Sequence, residues 1–226
     1  MKEIKIVYED DYLMLLNKGE GVVSTAENYK GDRQTVESWV RQSFEWSRDL
    51  KRAGLVHRLD KVTRGLLLVA KNEDVLDSLK KLFKQRKVKK KYMALLEGEV
   101  VTKGEIKVPI ARSSYSFGKW AVNPDGKVAW TIFRLLKKYR KDGKSYSLVE
   151  VDLKTGRTHQ IRVHFSYVGW PVAGDGLYGS RLRWKEGIFL QAFYLELEHP
   201  IDKKLMSWSI DMDNELGGFL EELDEE

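Results

Sequence analysis

The chain has 226 residues, 42% of them hydrophobic and 33% charged, which is enough apolar material for a folded core and excludes a disordered protein. Its formal net charge of +6 favours a polyanionic partner, and the lack of cysteine excludes disulfides, thiolate metal sites and cysteine nucleophiles. The N-terminus has no signal-peptide core and no apolar run is long enough to span a bilayer, so we expect a cytoplasmic protein.

The N-terminal third predicts short strands and two helices. Residues 4–16 predict two strands around the polar turn Glu9-Asp10-Asp11. Apolar residues at helical spacing predict a helix from Thr35 to about Arg48. Leu66–Ala70 predicts a buried strand, and Asn72 followed by two acidic residues predicts the start of a second helix.

The remaining sequence is rich in predicted strands. They are expected at Tyr92–Leu96, Glu105–Ile110, Ala129–Leu136, Ser147–Leu153, Thr158–Phe165, Ile188–Glu198 and Leu205–Asp211. An acidic segment, Glu221–Glu226, ends the chain. Because strands and helices mix without regular alternation, the sequence predicts an α+β fold with a mixed, mostly antiparallel central sheet flanked by helices and loops. We expect one domain over residues 1–226.

Polar residues crowd the segment 57–65, immediately before the buried strand. Asp60 stands there between Arg58 and Arg64, and nearby positive charge favours an ionised carboxylate that can act as a nucleophile or base. A weak surface ion pair is the alternative interpretation. The residues alone leave both readings open.

A second polar segment runs from Lys154 to His164. As a strand it would present Gln160, Arg162 and His164 on one side, where Arg162 could meet a carboxylate. The two histidines of the segment, five residues apart, would then lie on opposite faces, so we predict no zinc site.

Residues 80–91 include eight cations and no acidic residue. They are Lys80, Lys81, Lys84, Arg86, Lys87, Lys89, Lys90 and Lys91. A run without counter-charges predicts contact with nucleic-acid phosphates, and a solvated helix face is the alternative. Tyr115, Phe117 and Trp120 are candidates either for stacking on an RNA base or for the core.

Five segments in order resemble the RluA family of RNA pseudouridine synthases. They read HRLDKVTRGLLLVAK, KKKYMALLEG, GRTHQIRVH, GWPVAGDGLYG and FLQAFYLELEHP, and the resemblance covers about Tyr8 to Ile210. It implies the pseudouridine synthase fold, a ribosomal or transfer RNA partner, and chemistry without a metal or cofactor. Arg64 departs from the family, which usually has serine there, and would add a cation beside the active loop.

The resemblance also implies roles for individual residues. Asp60 would be the essential carboxylate, Tyr92 would pack against the target uracil and assist proton transfer, and Arg162 would pair with the catalytic aspartate. Leu190 would line the uracil pocket, and Arg58 would fill the space left by a flipped uridine. The RNA backbone would be bound by Lys87, Lys89, Lys90 and Lys91.

Several alternatives stay open at this point. Asp60 could attack the sugar, add to the base or remove a ribose proton. A non-catalytic RNA-binding or RNA-chaperone protein could keep the same scaffold, whereas a glycosidase would generally want two paired carboxylates. We expect a monomer whose chain begins directly with the catalytic domain, without a separate N-terminal RNA-binding module.

Overall fold

The computed structural model describes residues 4–25, 35–114 and 118–225, so Tyr115 and Phe117 lie outside the described residues. Contacts divide the chain into two compact units. The first comprises the chain up to Lys89 together with Ala192–Ile210, and the second comprises Lys90–Gln191 and the chain from Asp211 onward. The single domain expected from the sequence stays a prediction.

Twelve strands and four helices are formed by the described residues. The strands are β1 (Ile4–Glu9), β2 (Leu13–Lys18), β3 (Arg64–Ala70), β4 (Lys89–Glu97), β5 (Lys103–Ile106), β6 (Ile110–Arg112), β7 (Trp120–Val122), β8 (Thr131–Lys141), β9 (Lys144–Leu153), β10 (Leu190–Glu198), β11 (Leu205–Ser209) and β12 (Asp224–Glu225). The helices are α1 (Val36–Ser43), α2 (Glu73–Lys84), α3 (Gln160–Tyr167) and α4 (Asn214–Glu221). None of the helices in the described ranges is long and apolar enough to cross a membrane.

Local signals explain both helices of the first unit. The side chain of Asn72 accepts a hydrogen bond from the N–H of Val75 and starts α2, as predicted. Thr35 and Ser38 exchange capping bonds at the start of α1. The predicted helix from Thr35 to Arg48 ends earlier, at Ser43, where the chain becomes extended and continues into a short 3-10 turn.

The sheet of the first unit has the strand order β1-β2-β3-β10, with β11 beside β10. The pairs β1–β2, β2–β3 and β10–β11 are antiparallel. One face of this sheet packs against the apolar stripe of α2. The core residues are Leu13, Leu15, Leu66, Leu68, Ala70, Val75, Leu76, Leu79, Val88, Leu195 and Leu197.

Gly65, at the start of β3, permits a close backbone approach. Its φ of +114° is disfavoured for residues with a side chain, and an added Cβ would lie 2.1 Å from the carbonyl oxygen of Ala192. Any other residue here would therefore push β3 away from β10. This explains the glycine that closes the polar segment 57–65.

In the second unit the strand order is β4-β9-β8-β12, with β5 also beside β8, and β6 and β7 form a separate antiparallel pair. The core is largely aromatic and leucine-rich: Leu95, Tyr139, Tyr146, Leu148, Ala173, Phe189, Leu216, Phe219 and Leu223. The pairs β4–β9, β8–β9 and β5–β8 are antiparallel. The prediction of an α+β fold on mostly antiparallel strands is confirmed.

One predicted strand is divided in two. The sequence predicted a strand over Glu105–Ile110, but the structure has β5 ending at Ile106 and β6 beginning at Ile110. Pro109 lies in the break and has no N–H to offer to a strand ladder, which explains the interruption.

The predicted strand Thr158–Phe165 is wrong, because this segment forms helix α3. The alternation of apolar and polar residues in this segment did not indicate which side chains face the interior, because all residues from 160 to 165 are buried. Gln160 stabilises the start of the helix, because its side-chain oxygen accepts bonds from the Thr155 hydroxyl and the Arg157 N–H. Its side-chain nitrogen donates to the Trp130 carbonyl and the Thr131 hydroxyl.

The acidic C-terminal segment takes part in the second unit's sheet. After α4, the two residues of β12 pair antiparallel with Tyr139 and Arg140 of β8. Two ion pairs tie the segment to the same strand, Lys137–Glu225 at 2.9 Å and Lys141–Glu222 at 2.6 Å. Two acidic residues of the segment thus pair with cations of β8.

Candidate active site

Asp60 lies in a turn that leads directly into β3. Its carbonyl oxygen accepts a hydrogen bond from the N–H of Thr63 at 3.0 Å, and its side chain is half-buried. Leu59 before it is buried, whereas Arg58 is exposed. All seven residues of the following strand are buried, so the turn that carries Asp60 is attached to an interior strand.

Ser24 fixes the residue before Asp60. Its hydroxyl donates to the carbonyl oxygen of Leu59 at 2.7 Å and accepts the N–H of the same residue at 3.1 Å. Ser24 and Leu59 are both buried, so water does not compete for these bonds. The Ser24 hydroxyl therefore satisfies both the N–H and the C=O of Leu59, the residue before the candidate carboxylate.

Lys18 fixes the residue after Asp60. The side chain is fully buried, with 0% exposure, although lysine is rarely found in such a place. Its ammonium group donates to the carbonyl oxygens of Gly19 (2.9 Å), Val22 (2.9 Å) and Lys61 (3.2 Å). The backbone on both sides of Asp60 is thus held by two buried side chains, one at the end of β2 and one in the segment that follows it.

His57 anchors the beginning of the same segment. Its Nε2 accepts the N–H of Leu68 at 3.1 Å, and its ring stacks on Phe83 of α2 with the centroids 4.9 Å apart. The histidine of the His-Arg-Leu-Asp sequence therefore joins the segment to β3 and α2. Ser24, Lys18 and His57 were not recognised as candidates from the sequence, because their bonds connect distant parts of the chain.

Arg162 has a carboxylate partner inside the second unit. Its Nε donates to Oδ2 of Asp175 at 2.6 Å and its Nη2 donates to Oδ1 at 2.9 Å. The exposed fractions of the two side chains are 6% and 1%. The family resemblance implied the catalytic Asp60 as the partner of Arg162, and that pairing stays a prediction. The sequence analysis did not single out Asp175, whose place in the Gly-Asp-Gly segment was the one available signal.

Tyr178 packs against the same arginine. The centre of the Arg162 guanidinium lies 4.8 Å from the Tyr178 ring, a cation–π distance. The tyrosine hydroxyl contacts Nδ1 of His159 at 2.9 Å and accepts the N–H of Trp120 at 3.0 Å. The guanidinium is thus fixed at its edge by Asp175 and on its face by Tyr178.

His164 is a structural residue of α3. Its Nδ1 contacts the Thr131 hydroxyl at 2.9 Å, and its Nε2 contacts the Val108 carbonyl oxygen at 3.1 Å. Burial lowers the pKa of His164, and the bond to Val108 opposes that effect. Because α3 replaces the predicted strand, strand geometry does not separate the two histidines, but both ring nitrogens of His164 have protein partners. Residues 4–25, 35–114 and 118–225 contain no group of three metal-ligating His, Asp or Glu side chains.

Tyr92 and Leu190, the residues expected to contact the uracil base, are buried within the second unit. Tyr92 lies on β4 opposite Val151, and Leu190 begins β10 with its N–H donating to the carbonyl of Ile188 at 2.9 Å. Their predicted contacts with uracil stay predictions.

The basic run does have counter-charges, contrary to the expectation from the sequence. Three of its lysines pair with carboxylates: Lys80 with Asp77 (3.2 Å), Lys89 with Glu196 (3.8 Å) and Lys91 with Glu150 (3.0 Å). Burial lowers the pKa of Lys90, and the nearby charge of Asp152 opposes this. Of the predicted RNA-binding lysines, Lys87 is the one exposed without such a partner among the described residues.

Arg64 is an interior residue. It begins β3 with 1% of its side chain exposed and is among the largest fully buried side chains. A guanidinium in that position does not present a surface charge to RNA. The departure from the family's serine therefore alters the interior beneath the Asp60 turn.

Comparisons with known proteins agree with the fold. A human protein titled RNA Pseudouridylate Synthase Domain Containing 1 superposes with a TM-score of 0.78 at 28% identity, covering 100% of this chain and 89% of its own. Human RNA Pseudouridylate Synthase Domain Containing 4, at 24% identity and a TM-score of 0.76, shares the fold over 98% of this chain and 93% of its own. The pseudouridine synthase fold is thereby confirmed.

Sequence comparison identifies the family. The sequence model described as RNA pseudouridylate synthase matches residues 12–167. The ribosomal large subunit pseudouridine synthase D of Nitrosomonas europaea is 34% identical over 96% of this chain and 64% of its own length. The protein of the same name from Pseudomonas aeruginosa is 35% identical, over 91% and 67%. The chain belongs to the RNA pseudouridylate synthase family and spans about two thirds of the length of these relatives.

Proposed function

We propose that the protein converts uridine to pseudouridine in RNA, with Asp60 as its catalytic carboxylate. In this isomerisation the bond from ribose C1′ to uracil N1 breaks, the base turns, and C1′ bonds to C5. The hydrogen of C5 leaves as a proton and N1 takes up a proton, so atoms and electrons balance without a redox partner. The observation that carries the proposal is the half-buried Asp60 on a turn held by Ser24 and Lys18, in a chain of this family.

The other residues have distinct proposed roles. Tyr92 stacks on the uracil and assists proton transfer, and Leu190 lines the base pocket. Arg162 orients the catalytic carboxylate, with its own position fixed by Asp175. Arg58, which is exposed, fills the space that a flipped uridine leaves in the RNA.

Large-subunit ribosomal RNA is the proposed substrate. The support is the name shared by the relatives from Nitrosomonas europaea and Pseudomonas aeruginosa, ribosomal large subunit pseudouridine synthase D. Transfer RNA is the second candidate. We expect the protein to act as a monomer in the cytoplasm, where such RNA is found, and to need no cofactor.

Tritium release tests the reaction directly. Ribosomal and transfer RNA from cells lacking this gene are labelled at uracil C5 and incubated separately with the protein. Bond formation at C5 expels the label, so wild-type protein releases tritium from the substrate pool. Asp60→Asn keeps the size of the side chain and is expected to release none.

Asp49→Asn is the matched control, because Asp49 is an exposed carboxylate eleven residues earlier in the chain. It is expected to release tritium at the wild-type rate. Undiminished release by Asp60→Asn would overturn the catalytic assignment. No release by the wild type, with RNA binding intact, would favour the non-catalytic RNA-binding protein.

A further inference from the structure

The end of α2 has an unusual residue at its capping position. The N–H of Arg86 donates to the carbonyl of Phe83 at 3.1 Å, and the N–H of Lys87 donates to that of Leu82 at 3.0 Å. This bond pattern is the Schellman cap, in which the residue at the place of Arg86 adopts a left-handed conformation. Arg86 has a φ of +60° there.

Glycine is the residue that this position favours. A left-handed conformation brings the Cβ of any other residue against its own backbone, and glycine avoids that penalty. The two capping bonds use backbone atoms alone, so glycine would form both of them. The backbone therefore does not explain why an arginine is found here.

Four exposed cations surround this turn, and we name them the basic cap: Lys81, Lys84, Arg86 and Lys87. Within the described residues none of the four forms an ion pair, in contrast to Lys80, Lys89 and Lys91 of the same run. Attraction to the negative end of the helix dipole explains the lysines of the last turn. It does not explain a strained arginine beyond the helix, because the dipole effect falls off within that turn.

We infer that the basic cap binds phosphate groups of the RNA backbone and that the guanidinium of Arg86 makes one of these contacts. The inference rests on the proposed function, which makes RNA the protein's substrate. Arginine presents several N–H donors in a planar fork that matches phosphate oxygens. The capping bonds hold the backbone of this residue at the end of a rigid helix, so its side chain projects from a fixed point.

Arg86→Gly separates this role from a structural one. Removing the strain is expected to raise the urea midpoint of unfolding, whereas loss of the phosphate contact is expected to weaken RNA binding at least about threefold. The slope of log affinity against log salt concentration should fall by about 0.7, the value for one phosphate contact on a single strand. The probe is fluorescent oligouridylate, which offers phosphates whatever the natural substrate is.

Lys203→Gly is the matched control. Lys203 is an exposed cation with the same φ of +60°, in the turn between β10 and β11. Its replacement removes the same charge and the same kind of strain, together with a hydrogen bond from Nζ to the Pro200 carbonyl oxygen at 2.6 Å. It is expected to leave the affinity for oligouridylate and its salt dependence unchanged.

A double variant, Lys84→Gln with Lys87→Gln, removes charge from the basic cap without changing a left-handed residue. It is expected to weaken oligouridylate binding without raising the midpoint. An affinity for oligouridylate and a salt slope equal to those of the wild type, in either Arg86→Gly or the double variant, would overturn the inference. A surface that binds an acidic protein instead of RNA would give this result.

A turnover measurement distinguishes phosphate binding by the basic cap from the proposed isomerisation. Arg86→Gly should raise the RNA concentration needed for half-maximal tritium release, whereas Lys203→Gly, outside the basic cap, should release tritium as the wild type does. If the wild type released no tritium while Arg86→Gly lost affinity, the proposed reaction would fail and the phosphate site would stand.

Discussion

Arg162 and Asp175 meet at two points inside the second unit, Nε to Oδ2 at 2.6 Å and Nη2 to Oδ1 at 2.9 Å. Both side chains are withdrawn from solvent, so neither charge can be satisfied by water if the other is removed. The pair therefore determines where the guanidinium lies before any RNA is bound. The residue expected to orient the catalytic carboxylate is itself oriented by another carboxylate.

Asp175→Asn should destabilise the protein strongly. The amide keeps the shape of the carboxylate but removes the buried charge that pairs with Arg162, which should lower the free energy of unfolding by about 3–5 kcal/mol. Urea denaturation measures this. Glu45→Gln is the control, because its pair with Arg48 is exposed and should change stability by less than about 1 kcal/mol. Equal effects of the two variants would contradict the importance of the buried pair.

Ser24→Ala should impair stability and turnover together. The substitution leaves the buried N–H and C=O of Leu59 without their partner, at a cost of about 1–3 kcal/mol. Since Asp60 is the next residue, we also expect kcat in the tritium assay to fall with little change in RNA affinity.

Ser47→Ala provides the comparison. Ser47 is another fully buried serine, and its hydroxyl donates to the carbonyls of Val40 and Phe44. It should lose similar stability but retain kcat once folded. A normal kcat in Ser24→Ala would mean that the turn keeps its geometry without the serine.

Tyr92→Phe should separate stacking from proton transfer. The ring that would stack on uracil is retained, so RNA affinity is expected to stay at the wild-type value. Loss of a hydroxyl that assists proton transfer should slow single-turnover product formation about a hundredfold or more. Tyr146→Phe, at another buried tyrosine of the second unit, should leave the rate unchanged. An unchanged rate in Tyr92→Phe would confine this residue to stacking.

His164 should make stability depend on pH near neutrality. Burial lowers its pKa in the folded protein, while the unfolded chain takes up the proton at about pH 6.5. Below neutrality the unfolded state therefore binds more protons, and the free energy of unfolding falls as pH drops through about 6.5. The fall ends once the pH is below the folded-state pKa.

Urea denaturation between about pH 7.5 and 5 measures this dependence in wild-type protein and His164→Gln. The variant lacks the titrating group while its amide can still bond to Thr131 or Val108, so its pH dependence should be flatter. Identical curves would show that His164 does not carry the effect.

The sequence predicted elements whose signals are local. Asn72 and the acids after it act within one helical turn, and the continuous apolar run of β3 needs no distant information. Helix α3 was missed because its polar residues are buried as well as its apolar ones, so hydrophobic periodicity could not distinguish helix from strand. The side-chain nitrogen of Gln160 and the ring of His164 have partners about thirty residues or more away, and that pairing is a property of the fold.

The same distinction applies to the candidate site. Asp60 could be proposed from its own segment and from the family resemblance. The groups that hold its turn come from about forty residues away, and no spacing rule connects Lys18 with Lys61. The basic run looked uncompensated for a similar reason, because Glu150 and Glu196 reach its lysines from other strands.

The short strand β12 has a consequence for association between molecules. Strand β8 has eleven residues, and an unpaired strand of that length is a template on which copies of a protein can aggregate edge to edge. β5 pairs with its first residues and β12 with Tyr139 and Arg140, so both ends of that template are occupied within the chain. The C-terminal residues therefore leave less of the β8 edge available for pairing with a second copy of the chain.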